Sequence, residues 1–296
     1  MKPKHMRRLL DCYRVTDGSG FRLADHDPED TGGDFVGQKE GSALLAEGVQ
    51  RLAAAQERLY RNSDWALLCA FQAMDAAGKD GTIKHVMSGV NPQGVQVTSF
   101  KAPGAEELAH DFLWRSMAKL PQRGQIGIHN RSHYEEVLVT RVHPELLVRQ
   151  HLPPSLVGKH VWKDRLTDIT HFERYLARQG IIIRKFFLNI SRDEQKRRFL
   201  SRLDEPGKNW KFSSADLGER AHWADYMAAY EAAIRATAAP HAPWFVVPAD
   251  HKWFTHLIVV NAMVEALEKH NLPPPTLSPN DVVRLAEARK RLEEGE

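Results

Sequence analysis

Cysteine is scarce in this sequence of 296 residues, which contains two, Cys12 and Cys69. The two stand far apart, and Cys69 lies within an apolar run, so they do not form a spacing typical of a metal site. A pair of this kind also gives little support to a disulfide. We therefore expect both thiols to be packing groups.

Long apolar runs are also missing. No stretch of about 18 apolar residues is present that would cross a bilayer. The opening residues, Met1–His5, lack the apolar core of a signal peptide. We therefore expect a soluble cytoplasmic protein without a membrane partner.

The charge balance lacks a strong excess of either sign. Lysine and arginine number 41 against 38 for aspartate and glutamate, a formal net charge of +3. This balance is too even to indicate a nucleic-acid-binding protein, so we expect no nucleic-acid partner and expect any polyanion site to be local. Hydrophobic residues make up 42% of the chain, which is enough to form a substantial core.

Short apolar runs alternate with longer helical patterns along the middle of the chain. Such alternation predicts an α/β fold with a mostly parallel central sheet that is flanked by helices. Ligands of such sheets bind beyond the carboxyl ends of the strands, where functional residues are to be sought. The five predicted strands are Trp65–Ala73, Val95–Phe100, Gln125–His129, Gly180–Ile190 and Trp244–Val247.

We predict a single domain that comprises the whole chain, residues 1–296. Residues 1–40 mix charged residues with glycine, which favours a partly ordered, extended arm or loop. The parts predicted after this arm are a leading helix over 41–61, a core over 62–270 with a lid over about 192–225, and a C-terminal helix over 271–296.

A candidate phosphate-binding loop follows the first predicted strand. In a loop between a strand and a helix, backbone N–H groups bind phosphate while a lysine reaches its outer oxygens. Lys79 is the candidate lysine, and Asp75 offers a carboxylate to a metal ion. Relative to the pattern G-x-x-x-x-G-K-[ST], Ala73 replaces the first glycine and Asp80 the hydroxyl residue, so an ordinary turn is the alternative. The remaining phosphate-binding candidates are Ala76, Ala77, Gly78, Asp80, Gly81 and Thr82.

A second polar segment follows the third predicted strand. Asn130 stands where a P-loop enzyme has its second metal-binding carboxylate. Glu135, about one helical turn further on, offers the missing charge, and Arg131 is placed to meet a phosphate. An ordinary helix N-terminus is the alternative for this segment.

A basic segment lies over residues 184–211, where nine lysine or arginine residues stand against four aspartate or glutamate residues. A helix that begins at Ser191 would place Gln195, Arg198 and Arg202 on one stripe. A charged break follows this helix, as a mobile lid over phosphates requires. A solvated surface helix is the alternative.

Four stretches of the chain carry a family resemblance. They are MDAAGKDGTIKHVMSGVNPQGVQVTSFKAP (74–103), HDFLWR (110–115), IGIHNRSHYEEVLVTRVHPE (126–145) and QKRRFLSRLDEPGKNWKFS (195–213). They resemble the polyphosphate kinase 2 family and, within it, the class III group, which accepts nucleoside monophosphates and diphosphates. The resemblance implies a thymidylate-kinase-like P-loop fold with a helical lid. It also implies dependence on Mg²⁺, for which Mn²⁺ can substitute, and a homo-oligomer, either a dimer or a tetramer.

The resemblance also implies roles for individual residues. Asp75 resembles the metal-binding carboxylate of the loop, and Lys79 the lysine on the transferred phosphate. The wider family has aspartate where this chain has Asn130, a departure that agrees with the class III pattern. In that pattern a glutamate five residues on, here Glu135, is associated with monophosphates, so we count Glu135 with Asp75 as a candidate metal ligand. The positions that match the family's strand end and lid are Arg131, Arg198, Arg202, Lys208 and Lys211.

From these residues and the resemblance we expect a kinase that transfers a phosphoryl group from inorganic polyphosphate to ADP and to AMP. The transfer should be direct, in line and reversible, with polyphosphate and adenine nucleotides as the partners. Two alternatives stay open at this point. One is a nucleoside or nucleotide kinase that uses ATP on the same fold, and the other is a non-catalytic P-loop protein that binds nucleotide as a regulator.

Overall fold

A six-stranded sheet forms the centre of the computed structural model, which describes residues 3–33, 37–211, 213–270, 272–273 and 277–295. The strands are β1 (Arg14–Val15), β2 (Ala66–Ala73), β3 (Val95–Ser99), β4 (Ile126–Asn130), β5 (Ile181–Asn189) and β6 (Trp244–Pro248). Their order across the sheet is β1-β6-β5-β2-β4-β3, with β1 antiparallel to β6 and the other pairs parallel. The mostly parallel sheet is therefore confirmed, and each of the five predicted strands is present.

Helices connect and cover the strands. In the described residues they are α1 (Pro3–Tyr13), α2 (Gln38–Asn62), α3 (Lys79–Val86), α4 (Ala105–Leu108), α5 (Trp114–Met117), α6 (Val139–Val142), α7 (Val161–Arg178), α8 (Arg192–Asp204), α9 (Ser214–Ala221), α10 (Trp223–Thr237), α11 (Lys252–Glu268) and α12 (Pro279–Glu294). Three 3-10 segments also border the site described below, His133–Val137, Pro144–Gln150 and Pro206–Lys211. None of the helices in the described ranges is long and apolar enough to cross a membrane.

Strand β2 lies between β4 and β5, and all eight of its residues are buried. Successive side chains of a strand point to opposite faces, so a central strand must be apolar on both. On one face Leu68 packs with Phe172 of α7, and on the other Leu67 and Phe71 join the cluster that includes α2 and α11. Because β2 is central, its carboxyl end and the loop that follows it lie between the ends of β4 and β5.

A buried lysine connects β5 to the helices on one face of the sheet. Lys185 is fully buried, and its Nζ donates to the Glu173 carboxylate at 2.6 Å and to the Thr237 carbonyl at 2.8 Å. The same ammonium lies 3.0 Å from the Tyr134 hydroxyl, which donates to Glu173 at 2.8 Å. A charge can remain in a core when it is paired and fully hydrogen-bonded. The network fixes Tyr134, whose neighbour in the chain is the site residue Glu135.

The N-terminal segment differs from the extended arm expected over residues 1–40. Helix α1 buries Leu9 and Leu10 against the core, and β1 adds a strand to the sheet by pairing with β6. The arm expected here is wrong because Met6, Leu9 and Tyr13 recur at helical spacing between the charged residues and form one apolar face. Residues 34–36 of this segment lie outside the described residues.

The other predicted parts have helical counterparts. Helix α2, over Gln38–Asn62, extends the leading helix predicted over 41–61 at both ends. Helix α12 lies inside the predicted C-terminal stretch and is exposed along its length. Ser191 caps α8 as expected, since its hydroxyl accepts a hydrogen bond from the Glu194 N–H at 3.1 Å.

Candidate active site

A cavity of about 660 Å³ opens at the carboxyl end of β2. Its floor is the loop from Asp75 to Thr82, and the ends of β3 and β4, helix α8 and the start of α11 form its walls. We call it the loop cavity. Every phosphate-binding candidate of this loop lines it, as do Asn130, Arg131, Arg198, Arg202 and Lys208.

The loop has the backbone of an anion-binding turn. Ala76 and Gly78 adopt positive φ values of 63° and 103°, and α3 begins at Lys79. Left-handed residues within such a turn gather N–H groups on its concave side, and the helix start adds its positive dipole. Glycine takes this conformation freely, whereas Ala76 takes it at a steric cost and must be held by its surroundings.

Lys79 lies under the loop. Its side chain is 9% exposed, and its Nζ donates to the Ala73 carbonyl at 2.8 Å, with the Met74 carbonyl at 3.5 Å. Burial, and next the charge of Arg131, lowers the pKa of Lys79 to about 8, whereas nearby carboxylates, Asp75 first, favour the charged form. A phosphate in the cavity would favour the ammonium further.

Arg131 stands between the two predicted metal ligands. Its guanidinium lies 2.8 Å from Asp75 Oδ1 and 3.2 Å from Glu135 Oε2. The carboxylate of Glu135, more than any other group, raises the pKa of Arg131 above its ordinary value. Arg131 also has a φ of 63°, in the left-handed region, and its N–H donates to the Phe71 carbonyl at 3.0 Å. The strained backbone turns this side chain into the site directly after β4.

Asn130 is hydrogen-bonded to the phosphate loop. Its amide donates to Asp80 Oδ1 at 2.6 Å, and Ser99 Oγ lies 3.5 Å away. An aspartate at this position would place two carboxylates against each other, which is unfavourable. The neutral side chain at position 130 is therefore matched to the acidic residue that replaces a hydroxyl residue at position 80.

The oxygen donors around the loop fit a divalent metal that is carried by phosphate. Within the described residues, no three or more His, Cys, Asp or Glu side chains are grouped so that they could hold a metal ion. Magnesium usually keeps several waters and takes one or two carboxylates together with substrate phosphates, and manganese has similar preferences. Asp75 and Asp80 both line the loop cavity, whereas Glu135 lines a second cavity and is paired with Arg131. The expected pair of Asp75 with Glu135 stays a prediction, and Asp80 is a further carboxylate at the loop cavity.

The lid residues differ in what they contact. Arg202 lies 3.4 Å from Asp216 Oδ2, and Lys208 lies 2.6 Å from the Glu205 carboxylate, both at the rim of the cavity. Arg198 instead is buried, with its guanidinium directed at the backbone behind the loop. The side chain of Lys211 lies outside the described part of the chain.

A second cavity, of about 430 Å³, lies on the other side of the Asp75–Arg131 pair. We call it the acceptor cavity. Its apolar walls come from several elements and include Met74, Leu108, Val139, Leu146, Tyr226 and Tyr230. Its polar groups include Arg149 and Gln150, from the Pro144–Gln150 segment. The two cavities share Asp75, Phe100, Lys101 and Arg131, which we call the junction.

Sequence reasoning missed two cations at strand ends and most of the acceptor cavity. Lys101 follows β3 and Lys252 follows β6, so the rule that ligands bind beyond strand ends would have found both. Tyr226, Tyr230 and Gln150 carry no such signal, because helices far apart in the sequence bring them together.

A family model described as polyphosphate kinase 2 matches residues 36–274. The chain belongs to the polyphosphate kinase 2 family. It is 42% identical to the crystal structure of polyphosphate kinase 2 from Arthrobacter aurescens TC1, with a TM-score of 0.85 over 94% of this chain and 96% of that one. The predicted fold class and the predicted class of enzyme, a polyphosphate-dependent phosphotransferase, are therefore confirmed.

Two relatives are similar over most of their length. A protein of Rhodopseudomonas palustris named ADP-polyphosphate phosphotransferase is 50% identical over 250 residues, which are 84% of this chain and 86% of the relative. A protein of Meiothermus ruber named AMP/ADP-polyphosphate phosphotransferase is 46% identical over 256 residues, 86% of this chain and 92% of the relative.

Replacement of Lys79 by methionine should abolish most turnover without unfolding the protein. Methionine has a similar length, but it removes the charge that the loop presents to a transferred phosphate, a loss of several kcal/mol of transition-state stabilisation. We expect kcat to fall at least about a hundredfold in a protein that stays folded. The matched control is Lys84→Met, the same change at an exposed position of α3, which should retain wild-type activity. Retention of more than about a third of the activity by Lys79→Met would contradict the role of this loop.

Proposed function

We propose that this protein transfers the terminal phosphoryl group of inorganic polyphosphate to ADP and to AMP, with Mg²⁺ or Mn²⁺ bound to the phosphates. The observation that carries the proposal is the pair of cavities that meet at the junction. One is lined by a phosphate loop and basic side chains, and the other has apolar and aromatic walls. This arrangement separates a binding site for a chain of phosphates from one for a nucleoside.

The loop cavity suits a polyphosphate chain as the donor. Besides Lys79 of the phosphate loop, its lining includes the cations Lys252, Arg202 and Lys208. Every unit of polyphosphate carries negative charge, so a set of several cations binds such a chain. This set favours polyphosphate over ATP, whose charge is limited to three phosphates at one end.

The acceptor cavity suits a nucleotide. Its volume of about 430 Å³ lies within the range of small-molecule sites, which are mostly apolar with a few placed polar groups. Tyr226 and Tyr230 offer flat apolar surfaces, and Arg149 and Gln150 offer hydrogen-bond donors. A nucleoside in this cavity would direct its phosphates to the junction, where Lys101 and Arg131 lie.

The reaction we propose is a single in-line displacement at the junction. A phosphate oxygen of the acceptor forms a new P–O bond with the terminal phosphorus of polyphosphate, while the anhydride bond to the rest of the chain breaks. The shortened chain leaves with the electron pair of that bond. Lys79 and Arg131 spread the charge of the transition state, and Asp75 with Asp80 would hold a metal ion that neutralises phosphate charge. One phosphoanhydride replaces another, so the transfer is reversible.

Incubation of ADP with polyphosphate in magnesium buffer, without ATP, tests this proposal. We expect ATP to appear as polyphosphate shortens, measured by chromatography of the nucleotides. A requirement for ATP as the donor would favour a nucleotide kinase of the ordinary type, and the absence of any turnover would favour a nucleotide-binding regulator. Either result would overturn the proposal. The homo-oligomer and the cytoplasmic location stay predictions.

Replacement of Glu135 by glutamine should reduce activity with AMP more than activity with ADP. The α-phosphate of AMP must come about one phosphate unit nearer the donor than ADP requires, so it depends more on how Glu135 holds Arg131 at the junction. With each acceptor assayed separately against polyphosphate, the AMP rate should fall at least about tenfold more than the ADP rate, roughly 1.4 kcal/mol of selective loss.

Glu47→Gln is the matched control for this comparison, since Glu47 is exposed on α2, and it should leave both rates unchanged. Equal losses of the two rates in Glu135→Gln would make Glu135 a general site residue. A wild-type protein inert towards AMP would refute AMP as an acceptor.

A further inference from the structure

The carbonyl groups of the phosphate loop are held from behind by three side chains. Lys79 Nζ donates hydrogen bonds to the carbonyls of residues 73 and 74, as described above. Gln195 Nε2 donates to the Asp75 carbonyl at 2.9 Å. Arg198 Nη1 donates to the Ala76 carbonyl at 3.1 Å and to the Ala77 carbonyl at 2.8 Å. Five consecutive carbonyls, those of residues 73–77, are thus hydrogen-bonded to side chains.

Holding these carbonyls orients the amides of the loop. The C=O and N–H of a planar trans peptide point in opposite directions. The carbonyl of Asp75 therefore opposes the N–H of Ala76, and the carbonyl of Ala77 opposes the N–H of Gly78. A rotated peptide would present an oxygen to the phosphate instead of a donor. The positive φ of Ala76 is the costly part of this conformation, and Arg198 binds the carbonyl of that residue.

The N–H donors of Arg198 all have hydrogen-bond partners within the protein. A guanidinium carries five N–H donors. Besides the two loop carbonyls, they meet the Glu194 carboxylate at 2.6 Å, the Ala249 carbonyl at 2.6 Å and the Asp250 carbonyl at 3.2 Å. The residue is 7% exposed. Contact with a phosphate would require the loss of one of these buried bonds, which would leave a carbonyl or the Glu194 carboxylate without that partner.

Gln195 is held equally firmly. It is 1% exposed, and its Oε1 accepts from Arg220 Nη1 of α9 at 2.7 Å while its Nε2 donates to the loop. Gln195 and Arg198 both lie in the first half of α8. The first half of this helix is thus attached to the phosphate loop and to the end of β6, and Arg202 and Lys208 follow it in the chain.

We propose that Gln195 and Arg198 are positioning residues that hold the amides of the phosphate loop towards the bound phosphate, and that Arg198 is not itself a phosphate ligand. The proposal rests on the proposed function for the nature of the ligand. It divides the predicted basic lid into two parts. All three side chains line the loop cavity, but Arg198 belongs to a fixed part whose donors are bound to the backbone and to Glu194, whereas Arg202 and Lys208 belong to the part that faces the polyphosphate chain.

Binding of inorganic tripolyphosphate, measured by titration calorimetry in magnesium buffer, tests this division without any turnover. Arg198→Lys keeps the charge but loses the planar fork, so as a positioning residue it should weaken binding at least about tenfold. Arg202→Lys is the matched control, the same change at a residue that faces the ligand, and should stay within about threefold of the wild type. Gln195→Met, which keeps the volume and removes the donor, should also weaken binding at least about tenfold.

The salt dependence of the same titration provides a second readout. Loss of a cation that contacts phosphate lowers the slope of log affinity against log salt, because fewer ions are released on binding. Gln195→Met and Arg198→Ala should leave this slope unchanged, whereas Arg202→Ala should lower it. Near wild-type affinity in both Gln195→Met and Arg198→Lys, or a slope lowered by Arg198→Ala, would overturn the proposal. The titration contains no nucleotide and measures no turnover. Its result therefore does not depend on whether the protein carries out the proposed transfer reaction, and the two proposals can fail separately.

Discussion

The loop after β2 must turn its backbone amides towards a polyanion, and its carbonyls must therefore be held on the opposite side. Most of the site follows from this constraint. It accounts for a lysine and an arginine that are buried beside a basic cavity, because Lys79 and Arg198 take the carbonyls of the loop. It also accounts for the position of α8 next to the loop and to the end of β6. Arg198 of α8 donates its remaining hydrogen bonds to the carbonyls of Ala249 and Asp250, which follow β6.

Ion pairs of Arg131 lie between the two cavities beyond the loop. Arg131 lies between Asp75 and Glu135 and separates a basic cavity from one with apolar walls. Asn130, neutral and bonded to Asp80, avoids a second carboxylate at the strand end. The buried network of Lys185 holds Tyr134 and so fixes the segment that carries Glu135. In the proposed reaction, donor and acceptor meet at the junction, where the charge of the transition state develops.

Local pattern was sufficient to predict the strands and the phosphate loop, because their signals lie within a few consecutive residues. Strand β2 is apolar from Ala66 to Phe71, and Lys79 follows it at the spacing of a P-loop. The role of Arg198 was not predictable in this way, since its partners come from residues 76–77 and 249–250, far away in the sequence. The acceptor cavity was missed for the same reason, and the first helix because its charges concealed its apolar face. Tertiary contacts decide the first two, whereas the signal of the first helix is local.

The central claim is that polyphosphate and nucleotide occupy different cavities and meet between Asp75 and Arg131. A crystal structure of the Lys79→Met variant with inorganic polyphosphate and ADP, prepared without divalent metal so that transfer is blocked, tests it most directly. The account predicts a phosphate chain along the loop cavity, adenosine against Tyr226 and Tyr230, and the facing phosphates of the two ligands at the junction. Adenosine bound in the loop cavity, or a phosphate chain in the acceptor cavity, would contradict it.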